Sequence, residues 1–150
     1  MLAGRYRPGL ELADYWVSEK LDGVRGRWTG SQLVTRGGLA IAAPGWFTAG
    51  WPTVPMDGEL WAGRGRFEEA VSTVRRESPE DAAWQRLRFM VFDLPEHGGI
   101  FDNRVAAMEQ LTQRPSQPWL QAVPQQRVAD EKALMALLRQ TERMGGEGLM

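Results

Sequence analysis

Cysteine is absent from this 150-residue chain, histidine occurs once, and lysine occurs twice against sixteen arginines. Without cysteine there is no disulfide and no thiolate metal site, while the compartment stays open, because a cysteine-free chain suits oxidising and reducing surroundings alike. The single histidine, His97, lies in the turn sequence "PEHGG", which argues against a histidine-based triad or a zinc site. No apolar run approaches the roughly 20 residues that a membrane span needs, and the opening "MLAGRYRPG" lacks the apolar core of a secretory signal. An excess of one charge is missing too. Lys and Arg total 18 against 19 Asp and Glu, for a net charge of −1, so nucleic-acid binding would have to come from local arginine clusters.

What is present is enough for one ordinary domain: 43% hydrophobic residues and seven tryptophans can fill a sizeable core. The first two-thirds is strand-like. "DYWVSEKL", "GVRGRW" and "QLVTR" hold aromatic and β-branched residues in partial alternation, with Thr29-Gly30-Ser31 as a turn, and predict an antiparallel meander. "GGLAIAAPGWFTAGWPTVP" is broken by proline and glycine and reads as a loop with one short helical turn, before "MDGELW" resumes as a strand. Phe67, Ala70, Val71 and Val74 recur at helical spacing, and Ser78-Pro79 starts a second helix, "PEDAAWQ". "LRFMVFDLP" is almost wholly apolar, the pattern of a strand covered on both faces. Val105, Met108 and Leu111 mark another helix. The last helix runs over "ADEKALMALLRQTERMG", with Asp130 as N-cap, Leu134, Leu137, Leu138 and Thr141 on one face, and Gly145 as its stop. The mixture predicts an α+β fold with mostly antiparallel sheets and flanking helices.

One of the two lysines stands in "SEKLDGVRG". If only charge were wanted there, arginine is the residue this chain normally uses. On a strand, Lys20 and Asp22 share a face, Gly23 permits close approach of the backbone, and Arg25 adds a fixed cation. A free lysine has a pKa of about 10.4, so few molecules carry a neutral amine at pH 7; cations such as Arg25 and Arg36 would push that value down and favour a nucleophile. Taken alone, the tetrapeptide fits a solvated ion pair at a strand end equally well.

Three further stretches change the balance. Lys20-Leu21-Asp22-Gly23-Val24-Arg25, "DGELW" at 57–61, "FMVFDLP" at 89–95 and "EGLM" at 147–150, in that order, resemble the motifs of the covalent nucleotidyltransferase superfamily, in particular ATP-dependent DNA ligases. "YWVSEKLDGVRG", "APGWFTAGWP", "DGELWAGRGRFEE" and "PWLQAV" further resemble the minimal bacterial members that keep only a catalytic core. The resemblance covers nearly the whole chain.

It implies an adenylation domain over 1–150, incomplete at its C-terminus, with a lysine-containing final motif and an OB-fold domain expected beyond residue 150. It implies that Lys20 attacks the α-phosphate of ATP, with Glu19, Leu21, Arg25, Arg36, Glu59 and Phe92 around the nucleotide. Of these, Arg25 and Arg36 would hold ribose or phosphate oxygens, Glu59 a ribose hydroxyl, and Phe92 the adenine face. Glu147 and Glu59 would help bind Mg²⁺ or Mn²⁺. The expected partners are ATP and nicked double-stranded DNA, with no membrane and a monomeric state. "GRGR" and the Arg75-Arg76 pair supply Arg64, Arg66, Arg75 and Arg76 as phosphate contacts, or else a solvated surface. The location expected is periplasmic if a leader was removed and cytoplasmic otherwise. Two other readings share some features: an RNA ligase or GTP-dependent capping-type enzyme with the same lysine motif, and a non-catalytic nucleic-acid or carbohydrate-binding module using exposed tryptophans.

Overall fold

The structure is a computed structural model and describes residues 6–114 and 116–150. A single five-stranded sheet organises it, in the order β2-β1-β3-β4-β5. Strands β1 (Val24–Trp28), β2 (Leu33–Thr35), β3 (Met56–Trp61) and β4 (Arg88–Asp93) pair antiparallel, while β5 (Leu120–Ala122) runs parallel to β4. The parallel pair follows from the connection, because helix α4 (Phe101–Thr112) carries the chain back across the sheet between β4 and β5. The predicted antiparallel majority therefore holds, and β5, hidden in the proline-flanked "PWLQAV", is the strand that the local pattern missed.

Alternation in the strands sorts the sheet into two faces. Trp28, Met56, Leu60, Phe89, Val91 and Leu120 enter one core cluster. Helix α1 (Gly45–Thr48), the predicted short helical turn, adds Phe47, which is fully buried against Trp84 with centroids 4.8 Å apart. Trp51 stacks on Phe89 at 5.1 Å. Helices α2 (Phe67–Val74) and α4 cover the same face through Ala70, Val74, Val105 and Met108, and the short α3 (Asp81–Trp84) brings in Trp84. Three of the tryptophans, Trp28, Trp51 and Trp84, are buried and the other four are half-buried, so no tryptophan lies fully exposed on the surface.

The opposite face carries Arg25, Glu59, Met90 and Phe92. Arg25 lies opposite Glu59 across β1 and β3, and Glu59 lies opposite Met90 across β3 and β4. Residues 17–20 and 148–150 lie apart from the named strands. "DYWVSEKL" is not the first strand of the meander: it forms only isolated bridges, Val17 with Gln126 and Glu19 with Leu149. Its physical reason is long-range pairing. The amides of Ser18 and Lys20 donate to the carbonyls of Met150 and Gly148, each at 2.9 Å, so this segment takes partners from the far end of the chain instead of from β1. Helix α5 (Glu131–Arg143) leads into those partners; Asp130 caps it by accepting from the amide of Ala133 at 2.7 Å, as expected from sequence.

Candidate active site

The irregular path from Lys20 to Gly23 exists because the chain must pass tightly over β3. A Cβ on Gly23 would lie 2.5 Å from the carbonyl oxygen of Leu60 and 3.0 Å from Cγ of Glu59. Only glycine permits that approach. It lets the Gly23 amide donate to the Glu59 carboxylate and sets Lys20 above the polar face of the sheet.

There the ammonium of Lys20 forms an ion pair with Glu147, 127 residues later. The neighbouring charge is therefore a carboxylate, and the expectation that Arg25 and Arg36 crowd the lysine with positive charge is not met. Arg25 is drawn away: its guanidinium donates to Asp57 at 2.9 Å and lies 5.3 Å from the centroid of the Phe92 ring. Arg36 stands in the exposed turn after β2 and makes no side-chain bond or ion pair with another described residue. Leu21 is half-buried beside these groups in sequence.

Glu59 is mostly buried, and its carboxyl is pushed up to about 7. Burial is the main cause; the Gly23 amide and Arg25 pull the other way, and the negative charges of Asp22 and Glu147 push it further up. Three carboxylates thus share one neighbourhood, a donor set suited to a hard divalent cation. Among the described residues no group of three or more potential ligands is gathered tightly enough to hold a metal by itself. Mg²⁺ ordinarily takes one or two carboxylates and fills the rest of its shell with phosphates and water, so Glu59 and Glu147 are of the chemical type such an ion uses.

The elevated Glu59 carboxyl has a consequence for stability. An unfolded glutamate ionises near about 4.3, so between there and about pH 7 the fold holds more protons than the unfolded chain. This contribution is fully present below the unfolded value and is lost as pH rises through about 7. The thermal midpoint of the wild-type chain should fall over that window through this group, and Glu59→Gln should flatten the fall. Equal slopes in the two proteins would show that Glu59 is not the titrating group.

Three of the four arginines expected at DNA have side-chain partners in the protein. Arg64 makes two bonds to Glu19, each 2.7 Å, so the Glu19 carboxylate is already engaged. Arg66 donates to Glu69 at 2.7 Å, and Glu69 also accepts from Arg86 at 2.5 Å. Arg76 pairs with Glu80 four residues on, in the connection between α2 and α3, whereas exposed Arg75 makes no such bond with a described residue. Two residues that the sequence reading passed over matter here. Asp57, buried, fixes Arg25; Asp93, also buried, accepts from Arg104 of α4 at 2.8 Å and anchors the end of β4. The only sequence signal for either was an acidic residue inside an apolar strand. His97 is exposed, with its ring beside the carbonyl of Gly98, as its turn sequence implied.

No protein-family model matches the chain. A curated DNA ligase of Haemophilus influenzae is 38% identical over 137 residues, covering 90% of this chain and 50% of that protein. The chain therefore spans about half the length of the curated relative it matches. A solved structure from a structure-function study of Lig E DNA ligases superposes with a TM-score of 0.90 at 43% identity, over 99% of this chain and 59% of that one. Chlorella virus DNA ligase-adenylate superposes with a TM-score of 0.71 at 16% identity, over 97% of this chain and 57% of that one, a likeness of fold. These relatives do not favour the RNA-ligase, capping or binding-module readings. Among the described residues, no helix is long and apolar enough to cross a membrane.

Proposed function

We infer that this chain, whose sequence and fold belong with the adenylation domain of the minimal bacterial ATP-dependent DNA ligases, takes AMP from ATP onto Lys20 and passes it to the 5′-phosphate of a DNA nick. The observation that carries this reading is the meeting of Lys20 and Glu147 across 127 residues of sequence, over a sheet face bearing Arg25, Glu59 and Phe92. A lone surface lysine has no need of such surroundings.

In the first step Nζ of Lys20 leaves Glu147, gives up a proton and attacks the α-phosphorus of ATP. A P–N bond forms, the bond from the α-phosphorus to its bridging oxygen breaks, and pyrophosphate departs. Arg25, oriented by Asp57, and Arg36 supply positive charge for ribose and phosphate oxygens. Phe92 offers a ring face to the adenine, and Glu59, held by the Gly23 amide, is placed to accept from a ribose hydroxyl. Mg²⁺ held by Glu147 and Glu59, when bound, would neutralise charge on the phosphates. In the second step a 5′-phosphate oxygen attacks the lysyl-AMP phosphorus and breaks the P–N bond. In the third the 3′-hydroxyl attacks the 5′-phosphorus and AMP leaves. Arg75 and its neighbour Arg76, just after α2, with Arg66, just before it, would contact the nick's backbone, and the protein acts as a monomer.

The test uses the protein as its gene encodes it, incubated with ATP or GTP labelled at the α-phosphate, with Mg²⁺ or Mn²⁺. Label from ATP alone should survive denaturation. Label from GTP alone would move the protein to the capping-type enzymes, and label from neither would end the enzymatic reading.

A further inference from the structure

Arg64 and Glu19 form a fork whose place in the fold has a use of its own. Nε of Arg64 donates to Oε1 of Glu19 and a terminal nitrogen donates to Oε2, both at 2.7 Å, the bidentate geometry that restrains a carboxylate most firmly. The two side chains are 32% and 20% exposed, so water competes for the pair only in part. Glu19 immediately precedes Lys20. Its backbone bridges Leu149, and the Lys20 amide donates to Gly148. Its carboxylate also abuts Gly146, where a Cβ would lie 2.8 Å from Oε1. One glutamate thus touches the loop after β3, the nucleophile segment and the run that carries Glu147.

Lys20 needs such restraint. Neither it nor Leu21 and Asp22 belongs to a strand, so no regular ladder sets the direction of its side chain, which is 48% exposed on a flexible four-carbon stem. Attack on phosphorus is sensitive to aim: a misplacement of about 1 Å can cost on the order of 10²-fold in rate.

We propose that the Arg64–Glu19 fork is a positioning device that aims Lys20 at the α-phosphorus, a role that rests on the self-adenylation reading above. Arg64 then serves the first chemical step, before DNA arrives, and is not primarily a backbone contact for the nick. Glu19 acts through Lys20 and need not touch the nucleotide.

The experiment measures lysyl-AMP formation without DNA, in the protein as its gene encodes it. Arg64→Ala should slow formation on the order of tenfold while the half-saturating ATP concentration stays within about twofold, because the fork orders the nucleophile and leaves the nucleotide's own contacts intact. Arg64→Lys should recover only part of the rate, since an ammonium cannot make the fork. The exchanged pair Glu19→Arg with Arg64→Glu should regain most of it, which a general folding defect would not allow. If Arg64→Ala labels as fast as wild type, the proposal is overturned; slower transfer to nicks in that same variant would make Arg64 a DNA contact. If Arg64→Ala instead raises the half-saturating ATP concentration at an unchanged maximal rate, Arg64 binds nucleotide and the positioning role is again rejected. Failure of the wild type itself to take label would remove the self-adenylation reading first, and the fork's role with it.

Discussion

Lys20→Arg is expected to abolish covalent capture of AMP, lowering its rate on the order of 10⁴-fold or more, the scale seen when a covalent nucleophile is removed. The substitution preserves positive charge and most of the length of the side chain, so an ion pair with Glu147 can still form. What it removes is an amine that can lose its proton and attack, because a guanidinium stays protonated at any accessible pH. The fold should be unaffected, since Lys20 is half-exposed and takes no part in the core cluster. A gel assay for retained label, run beside a thermal melt, separates the two effects. Capture at wild-type level by Lys20→Arg would mean that another residue carries the AMP.

Gly23→Ala should be nearly as damaging by another route. The added Cβ would sit 2.5 Å from the Leu60 carbonyl oxygen, and Leu60 is fully buried within β3, held by strands on both sides. The backbone of β3 cannot yield, so the 20–23 segment must lift. Overpacking of this kind costs about 1–3 kcal/mol. Lifting would also break the Gly23 amide bond to Glu59 and displace Lys20, with a loss of lysyl-AMP formation on the order of 10²-fold. Denaturant unfolding measures the first effect and single-turnover labelling the second. A variant with wild-type stability and rate would contradict the close approach of these two segments.

How much of this could be read in the sequence depended on the range of the interaction. Strand β4 was plain from its continuous apolar run, and Asp130 from its place before an amphipathic stretch, because both signals are local. The short helix over Gly45–Thr48 was marked in the same way. Strand β5 was not, since three residues between prolines carry too little periodicity, and its pairing depends on the crossover through α4. "DYWVSEKL" misled for a related reason. Its alternation is that of a strand, but its partners, Gln126 and residues 148–150, lie more than a hundred residues away.

The site divided along the same line. Its residue types were legible from Lys20, Glu59, Phe92 and Glu147 in their order along the chain. Their electrostatics were not, because charge pattern alone does not say which carboxylate each cation meets. Arg25 turned to Asp57, Lys20 to Glu147, and Arg64 to Glu19, each a choice fixed by packing over β3. Arg64 shows the difference most clearly: as part of "GRGR" it read as a phosphate contact or a solvated cation, and in the fold it makes two bonds to Glu19, the residue before Lys20.

The central claim, that Lys20 carries AMP, is tested most directly by mapping the adduct. The protein as encoded is incubated with ATP and Mg²⁺, digested, and its peptides are weighed. The peptide containing Lys20 should be heavier by one AMP, joined through an acid-labile bond, and the adduct should disappear when a nicked duplex is added. An unmodified Lys20 peptide in protein that has taken up label, or a label that a nick cannot discharge, would contradict the account.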